Sequence, residues 1–216
     1  VSMAGLVREA AMRALADAGL GWSDIDAVVI GKAPDFFEGL MMPELYLADA
    51  LGCVGKPILR VHTAGSVGGS TALVATSLIQ GRIHRRVLTL GFEQQPVPNS
   101  TCPFSLPQPF SVSANAGAGG YFSPIIRQYM TRSGAPDLIG CMVAFKDRQN
   151  ALLNPYAHLH QHDLTFEKVV ESPMLWDPIR YSETCPSSDG ACAMVLGDEV
   201  AGDAATGPVA WVHGTA

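Results

Sequence analysis

Charge is scarce in this chain: 16% of its 216 residues are Asp, Glu, Lys or Arg, while 48% are apolar. Disordered chains show the opposite balance, so the composition indicates a well-buried α/β protein. Basic residues are the rarer sign, 14 against 20 acidic, giving a net charge of −6, and no Lys/Arg cluster forms a stripe. The electrostatic footprint of a nucleic-acid or anionic-membrane surface is therefore missing. A few local basic residues would still suffice for a CoA-like ligand. No apolar run approaches the roughly 18 residues needed to span a bilayer, and no signal-peptide pattern is visible. Cysteine is sparse too: Cys53, Cys102, Cys141, Cys185 and Cys192 are odd in number, scattered and without CxxC spacing. That excludes a disulfide framework and points to reduced thiols in the cytoplasm.

What is present alternates. Leu6, Ala10, Ala14 and Leu15 recur at helical spacing, with Gly19 as a stop. The spacing then predicts a strand over Ile25–Ile30, a helix over Pro43–Leu51 ended by Gly52, and a strand over Ile58–His62. A helix over Ser70–Gln80 with Gly81 behind it and a strand over Arg86–Phe92 follow. Such alternation implies parallel pairing through right-handed crossovers, with both sheet faces covered. The segment Gln94–Pro124 breaks the rhythm with six prolines and reads as a pocket wall or oligomer contact. Helices are expected over Tyr121–Ser133 and Leu138–Asn150. An irregular arm from Leu152 to Trp176 holds a short helix near Phe166–Glu171, and a strand covers Ala191–Leu196. The chain opens at Val1 without methionine and stops after the apolar run Val209-Ala210-Trp211-Val212, which reads as a strand without continuation. A fragment of a longer protein is the expectation.

The candidate chemistry centres on RVHTAGSVGGSTALVATSLIQ, residues 60–80, a strand, a glycine-rich turn and a helix. Ser66 sits in the turn beside Gly65, Gly68 and Gly69. These glycines permit a sharp bend and let a ligand approach the backbone. The helix beyond it offers free N–H groups and a positive end to developing negative charge. Ala64-Gly65-Ser66-Val67-Gly68 resembles a relaxed hydrolase elbow, which would need an acid and one of His158, His160, His162 or His213; a plain packing turn is the competing reading. The alternating histidines of His158–Asp163 invite a metal, but no carboxylate or cysteine pattern completes a site, so a solvated loop is favoured. Cys185 is a candidate pocket residue, Cys192 reads as core, and Asp189-Gly190 as a turn before a strand.

Four ordered stretches carry a family resemblance: residues 60–93, Lys146–Ala157 (KDRQNALLNPYA), Trp176–Tyr181 (WDPIRY) and Cys185–Leu196 (CPSSDGACAMVL). With them the chain resembles the thiolase superfamily, in particular the sterol-carrier-protein-x type and the bacterial lipid-transfer-protein thiolases. The resemblance implies a layered αβαβα fold, here mainly the N-terminal half plus the loop domain. It divides the chain into a first part of that half over 1–93, a loop and substrate-pocket region over 94–183, and a return to the sheet over 184–216, where a truncated C-terminal half would start. It implies acyl-CoA as substrate, no cofactor beyond coenzyme A in that role, no metal, a homodimer pairing beside the turn, and for some relatives a small OB-fold partner. Nucleic-acid binding and membrane insertion are not expected.

One departure matters. Counting back from Ser70-Thr71-Ala72-Leu73, Ser66 occupies the place of the family's nucleophilic cysteine. A thiol of pKa about 8.5 can ionise at a helix N-terminus; a serine hydroxyl needs a dedicated base. The expected function is acyl-CoA acyl transfer, with Ser66 at the catalytic position and Gly65, Gly68, Gly69 and Cys185 contacting substrate. Retro-aldol cleavage of a β-hydroxyacyl-CoA and non-catalytic acyl-CoA or lipid carriage are the alternatives.

Overall fold

The computed structural model describes residues 2–32, 40–94, 117–186, 188–203 and 207–215. Most of the proline-rich excursion lies outside them. The chain forms two compact units, one of residues 1–97 and 189–216, the other of residues 98–188.

The first unit is built on a four-stranded sheet. Its elements are α1 (Met3–Asp17), β1 (Ala27–Gly31), α2 (Pro43–Leu51), β2 (Ile58–Val61), α3 (Val67–Gln80), β3 (Arg86–Glu93), then β6 (Gly190–Gly197) and α7 (Glu199–Asp203). The strand order is β2-β1-β3-β6. β1 pairs in parallel with both neighbours, Val29 opposite Leu59 and Thr89. β6 departs from the parallel expectation and runs antiparallel to β3, Leu88 opposite Val195. β6 returns from the second unit and so stands outside the strand–helix–strand crossovers that set the parallel strands.

The apolar run at β1 is short and continuous because both its faces are covered, and all five of its residues are buried. On one face Val7, Ala11 and Leu15 of α1 and Leu47 and Leu51 of α2 pack with Val28, Ile30, Leu88, Leu90 and Phe92. On the other, Ala75 of α3 packs with Val29 and Val87. Each fully buried aliphatic side chain contributes about 1.5–3 kcal/mol, so these contacts hold the helices against the sheet. α2 ends as its sequence predicts, with Gly52 in the left-handed region at φ 79°. α3 does not: Gly81 stays right-handed at φ −72°, and Arg82 takes the left-handed position at φ 57°.

Trp211 and its apolar neighbours do not form the expected strand. Residues 207–215 join no ladder; Trp211 instead covers Gly202, where a Cβ would lie 2.9 Å from the indole ring.

The second unit holds α4 (Gly117–Ser133), α5 (Ile139–Ala151), α6 (Phe166–Val170) and a hairpin of β4 (Met174–Trp176) and β5 (Ile179–Arg180). Trp176 lies so close to Gly119 that a Cβ there would fall 2.0 Å from its ring. Arg127 of α4 pairs with Asp177 at the hairpin tip. Thr165 caps α6 by accepting from the Lys168 N–H at 3.3 Å. Among the described residues no helix is long and apolar enough to cross a membrane.

Candidate active site

At its carboxyl end β2 passes through Ala64–Ser66, a single 3-10 turn, into α3. The helix begins at Val67, earlier than the sequence predicts, because Ser70 is not its cap. Ser70 Oγ instead accepts the Thr63 hydroxyl at 2.8 Å. Ser66 becomes the N-cap residue, with φ −91° and ψ 4° and no capping bond from its side chain. Those angles lie in the sparsely populated bridge region, where many active-site residues sit. Its hydroxyl, exposed to solvent, donates to the Thr63 carbonyl at 2.9 Å. A capping serine would accept an N–H from the first turn; Ser66 leaves those N–H groups to whatever lies outside.

The glycines divide by role. Gly65, Gly68 and Gly69 have no positive φ, so the bend does not depend on glycine, against the expectation. A Cβ on any of the three would meet nothing within 4 Å. What they do is keep the mouth of the helix bare. Gly31 is the reverse: a Cβ there would fall 1.9 Å from Thr71 Oγ1 and 3.3 Å from Val67 Cγ2. Its missing side chain lets the first turns of α3 lie directly on the end of β1, which positions Ser66.

Beneath that edge lies a charge pair that sequence reasoning missed. Lys32, fully buried just past β1, places Nζ 3.5 Å from Glu93 Oε2 and 5.9 Å from the centre of the Phe92 ring. A buried ammonium needs such partners. The available signal was a lysine immediately after a wholly apolar strand.

α3 carries no charged side chain, VGGSTALVATSLIQ, yet Leu73 on it is 42% exposed. Met194 of β6, on the α3 side of the sheet, is 48% exposed. Surface helices of globular proteins have a charged face, so α3 has the composition of a middle layer. Cys192 shares that side of β6 and is exposed, correcting its assignment to the core: β6 is an edge strand, and the cluster under α3 takes in Leu196 but not Cys192.

Burial pushes the thiols of Cys53 and Cys141 above the usual range, the latter with help from Glu183. Neither is a nucleophile. Cys185 is exposed in the second unit. There His158 Nδ1 meets Ser188 Oγ at 2.5 Å, and His160 Nε2 donates to the Asn154 carbonyl at 2.7 Å. Two of the histidines an elbow or a metal would need are thus committed elsewhere. Among the described residues no group of three His, Cys, Asp or Glu is placed to hold a metal, and no imidazole or carboxylate hydrogen-bonds Ser66.

No family model matches the chain. Individual proteins do. Human sterol carrier protein 2 is 27% identical over 206 residues, 90% of this chain and 37% of its own length. An acetyl-CoA acetyltransferase of Methanothermobacter thermautotrophicus is 27% identical over 91% of this chain and 52% of its own. The 17-hydroxy-3-oxo-4-pregnene-20-carboxyl-CoA lyase of Mycobacterium tuberculosis is 27% identical over 88% of this chain and 51% of its own. The chain therefore spans between about a third and half the length of these relatives. Among solved structures, the Ltp2-ChsH2(DUF35) aldolase superposes with a TM-score of 0.73 at 26% identity, over 94% of this chain and 53% of that one. Human mitochondrial 3-ketoacyl-CoA thiolase shares the fold with a TM-score of 0.70 at 15% identity, over 94% of this chain and 60% of its own. By sequence and by fold alike, the chain is similar to thiolase-like proteins.

Proposed function

We propose that the protein cleaves or forms a carbon–carbon bond next to a CoA thioester by retro-aldol chemistry, without an acyl-enzyme. The observation that carries this is the Ser66 hydroxyl, which donates to the Thr63 carbonyl rather than to a base. A serine nucleophile without a base is inert at neutral pH. The uncapped N–H groups at the start of α3, between Gly68 and Gly69 with nothing crowding them, suit a thioester oxygen that gains charge. In a β-hydroxyacyl-CoA a base removes the hydroxyl proton and the carbonyl of the leaving ketone or aldehyde forms. The C–C bond breaks, and its electron pair becomes a thioester enolate held by those donors until it is protonated. The buried Lys32 ammonium lies beneath the same edge. The lyase and aldolase among the similar proteins support this reading. A homodimer and a small OB-fold partner belong to it, the latter suggested by the two-protein name of that aldolase.

Acyl transfer is the second reading, favoured by the acetyl-CoA acetyltransferase relative. The full-length protein separates the two. With a β-hydroxyacyl-CoA and no added CoA, a shortened acyl-CoA and a free carbonyl compound should appear by mass spectrometry. With a 3-ketoacyl-CoA and CoA, no acetyl-CoA should form. Ser66→Ala should keep turnover within about tenfold, since the hydroxyl is not attacked; a loss of about a thousandfold or more would make Ser66 the nucleophile and end the retro-aldol reading. A protein that binds acyl-CoA but turns over neither substrate would be a carrier.

A further inference from the structure

The amino end of the same sheet holds a cleft of about 510 Å³, lined by Ser23 and Asp26 ahead of β1, Lys56 ahead of β2, and Ile83, His84 and Arg85 ahead of β3. Three loops that lead into adjacent parallel strands bring these side chains together. In a chain of net charge −6 the cleft gathers three basic residues, Lys56, His84 and Arg85, beside Asp26, with Asp198 paired to Arg85.

That carboxylate is satisfied by backbone rather than by the cations. Asp26 Oδ2 accepts the N–H groups of Arg85 and Arg86 at 2.8 and 2.9 Å. Burial acts to raise its pKa, but these two bonds, together with the charges of His84 and Arg86, outweigh it and hold the group below the usual carboxylate value. Lys56 Nζ donates once, to the Ile25 carbonyl at 2.6 Å; an ammonium has three protons to give. Arg85 spends Nε on Asp198 at 2.9 Å, and a guanidinium has five N–H donors. The His84 N–H returns to the Leu78 carbonyl at 3.4 Å, while its imidazole, whose charge acts on Asp26, makes no hydrogen bond or ion pair among the described residues. Donor capacity in the cleft thus exceeds what the chain itself uses.

The turn that supplies Ile83–Arg85 is held in a costly conformation. Arg82 is left-handed at φ 57°, which costs a residue with a side chain about 1–2 kcal/mol. The Ile83 N–H returns to Leu78 O at 3.0 Å, closing the helix end and fixing the direction of the next three residues.

We propose that this cleft binds the phosphate group of a small phosphorylated molecule, at the end of the sheet remote from Ser66. A planar guanidinium, an ammonium and an imidazole around one open concavity offer donors of the kind that phosphate oxygens accept. Titrating the full-length protein with inorganic pyrophosphate by calorimetry should give saturable binding that weakens with added salt. His84→Ala should lower the affinity about fivefold, the effect of losing one exposed polar contact, and Arg85→Gln should lower it similarly; thermal melts check that both variants fold. Ser66→Ala should bind as the unaltered protein does. No saturation at millimolar pyrophosphate, or an affinity in both cleft variants equal to that of the unaltered protein, would overturn the proposal. Adding coenzyme A identifies the source of the phosphate. Displacement of pyrophosphate that needs about fivefold more coenzyme A in His84→Ala assigns the cleft to nucleotide-borne phosphate; undisturbed pyrophosphate binding assigns it to other phosphate compounds.

Discussion

The two ends of one four-stranded sheet are finished in opposite ways. At the carboxyl end the surface is bare: three glycines, an exposed serine and a helix start that its own cap does not satisfy. At the amino end the loops are fastened by Asp26 to two successive N–H groups, by Lys56 to the Ile25 carbonyl and by Arg85 to Asp198. The comparison teaches that rigidity and availability are separated by the length of a strand. One end leaves backbone N–H groups bare; the other spends part of its donor capacity on fastening the loops. Gly31 belongs structurally to the second type although it sits at the first end.

The largest test of that contrast is the same substitution at two glycines. Gly31→Ala drives a methyl into Thr71, and overpacking of this kind costs about 1–3 kcal/mol; urea unfolding should show the loss, and α3 should shift. Gly69→Ala meets open space and should gain about 0.5–1 kcal/mol from the helix preference of alanine over glycine, while turnover or acyl-CoA affinity falls because the bare approach is covered. If Gly69→Ala destabilised the fold, the open mouth would not be what glycine provides there.

The smallest expected effect is at the amino end. The pKa of Asp26 is lowered in the folded state, so its contribution is present above the unfolded value near 3.8 and is lost as pH falls through the folded value. Stability measured by denaturant from pH 5 down to pH 2 should drop below about pH 4. Asp26→Asn should flatten that limb; an unchanged limb would mean that other carboxylates carry it.

Much of this unit was legible in the sequence because its strands are apolar on both faces. IDAVVI and RVLTLGF have few alternatives to burial, and Gly52 marks the end of α2 through a torsion angle that other residues avoid. The start of α3 was not legible, since Ser66 and Ser70 are both good N-cap residues and only the Thr63 hydroxyl decides between them. Cys192 was misread because alternation tells which residues share a face, not which face is covered. The amino-end cleft was invisible for a different reason: Lys56 comes from another loop than His84 and Arg85, and charge clusters built across loops leave no run in the sequence. Ser66 stood out at once, yet the direction of its hydroxyl, toward a carbonyl, is a property of three-dimensional geometry.

The late return of β6 has a consequence in time. β3 ends at Glu93 and its antiparallel neighbour begins at Gly190. At the usual synthesis rates of roughly 5–20 residues per second, a ribosome needs about 5–20 s to make the intervening stretch. Throughout that interval the apolar β3 is an unpaired edge on the nascent chain, the kind of template that recruits foreign strands. The second unit is thus an obligatory delay in completing the first, and the slow closure of one strand sets the window in which the newborn protein is most exposed to misassembly.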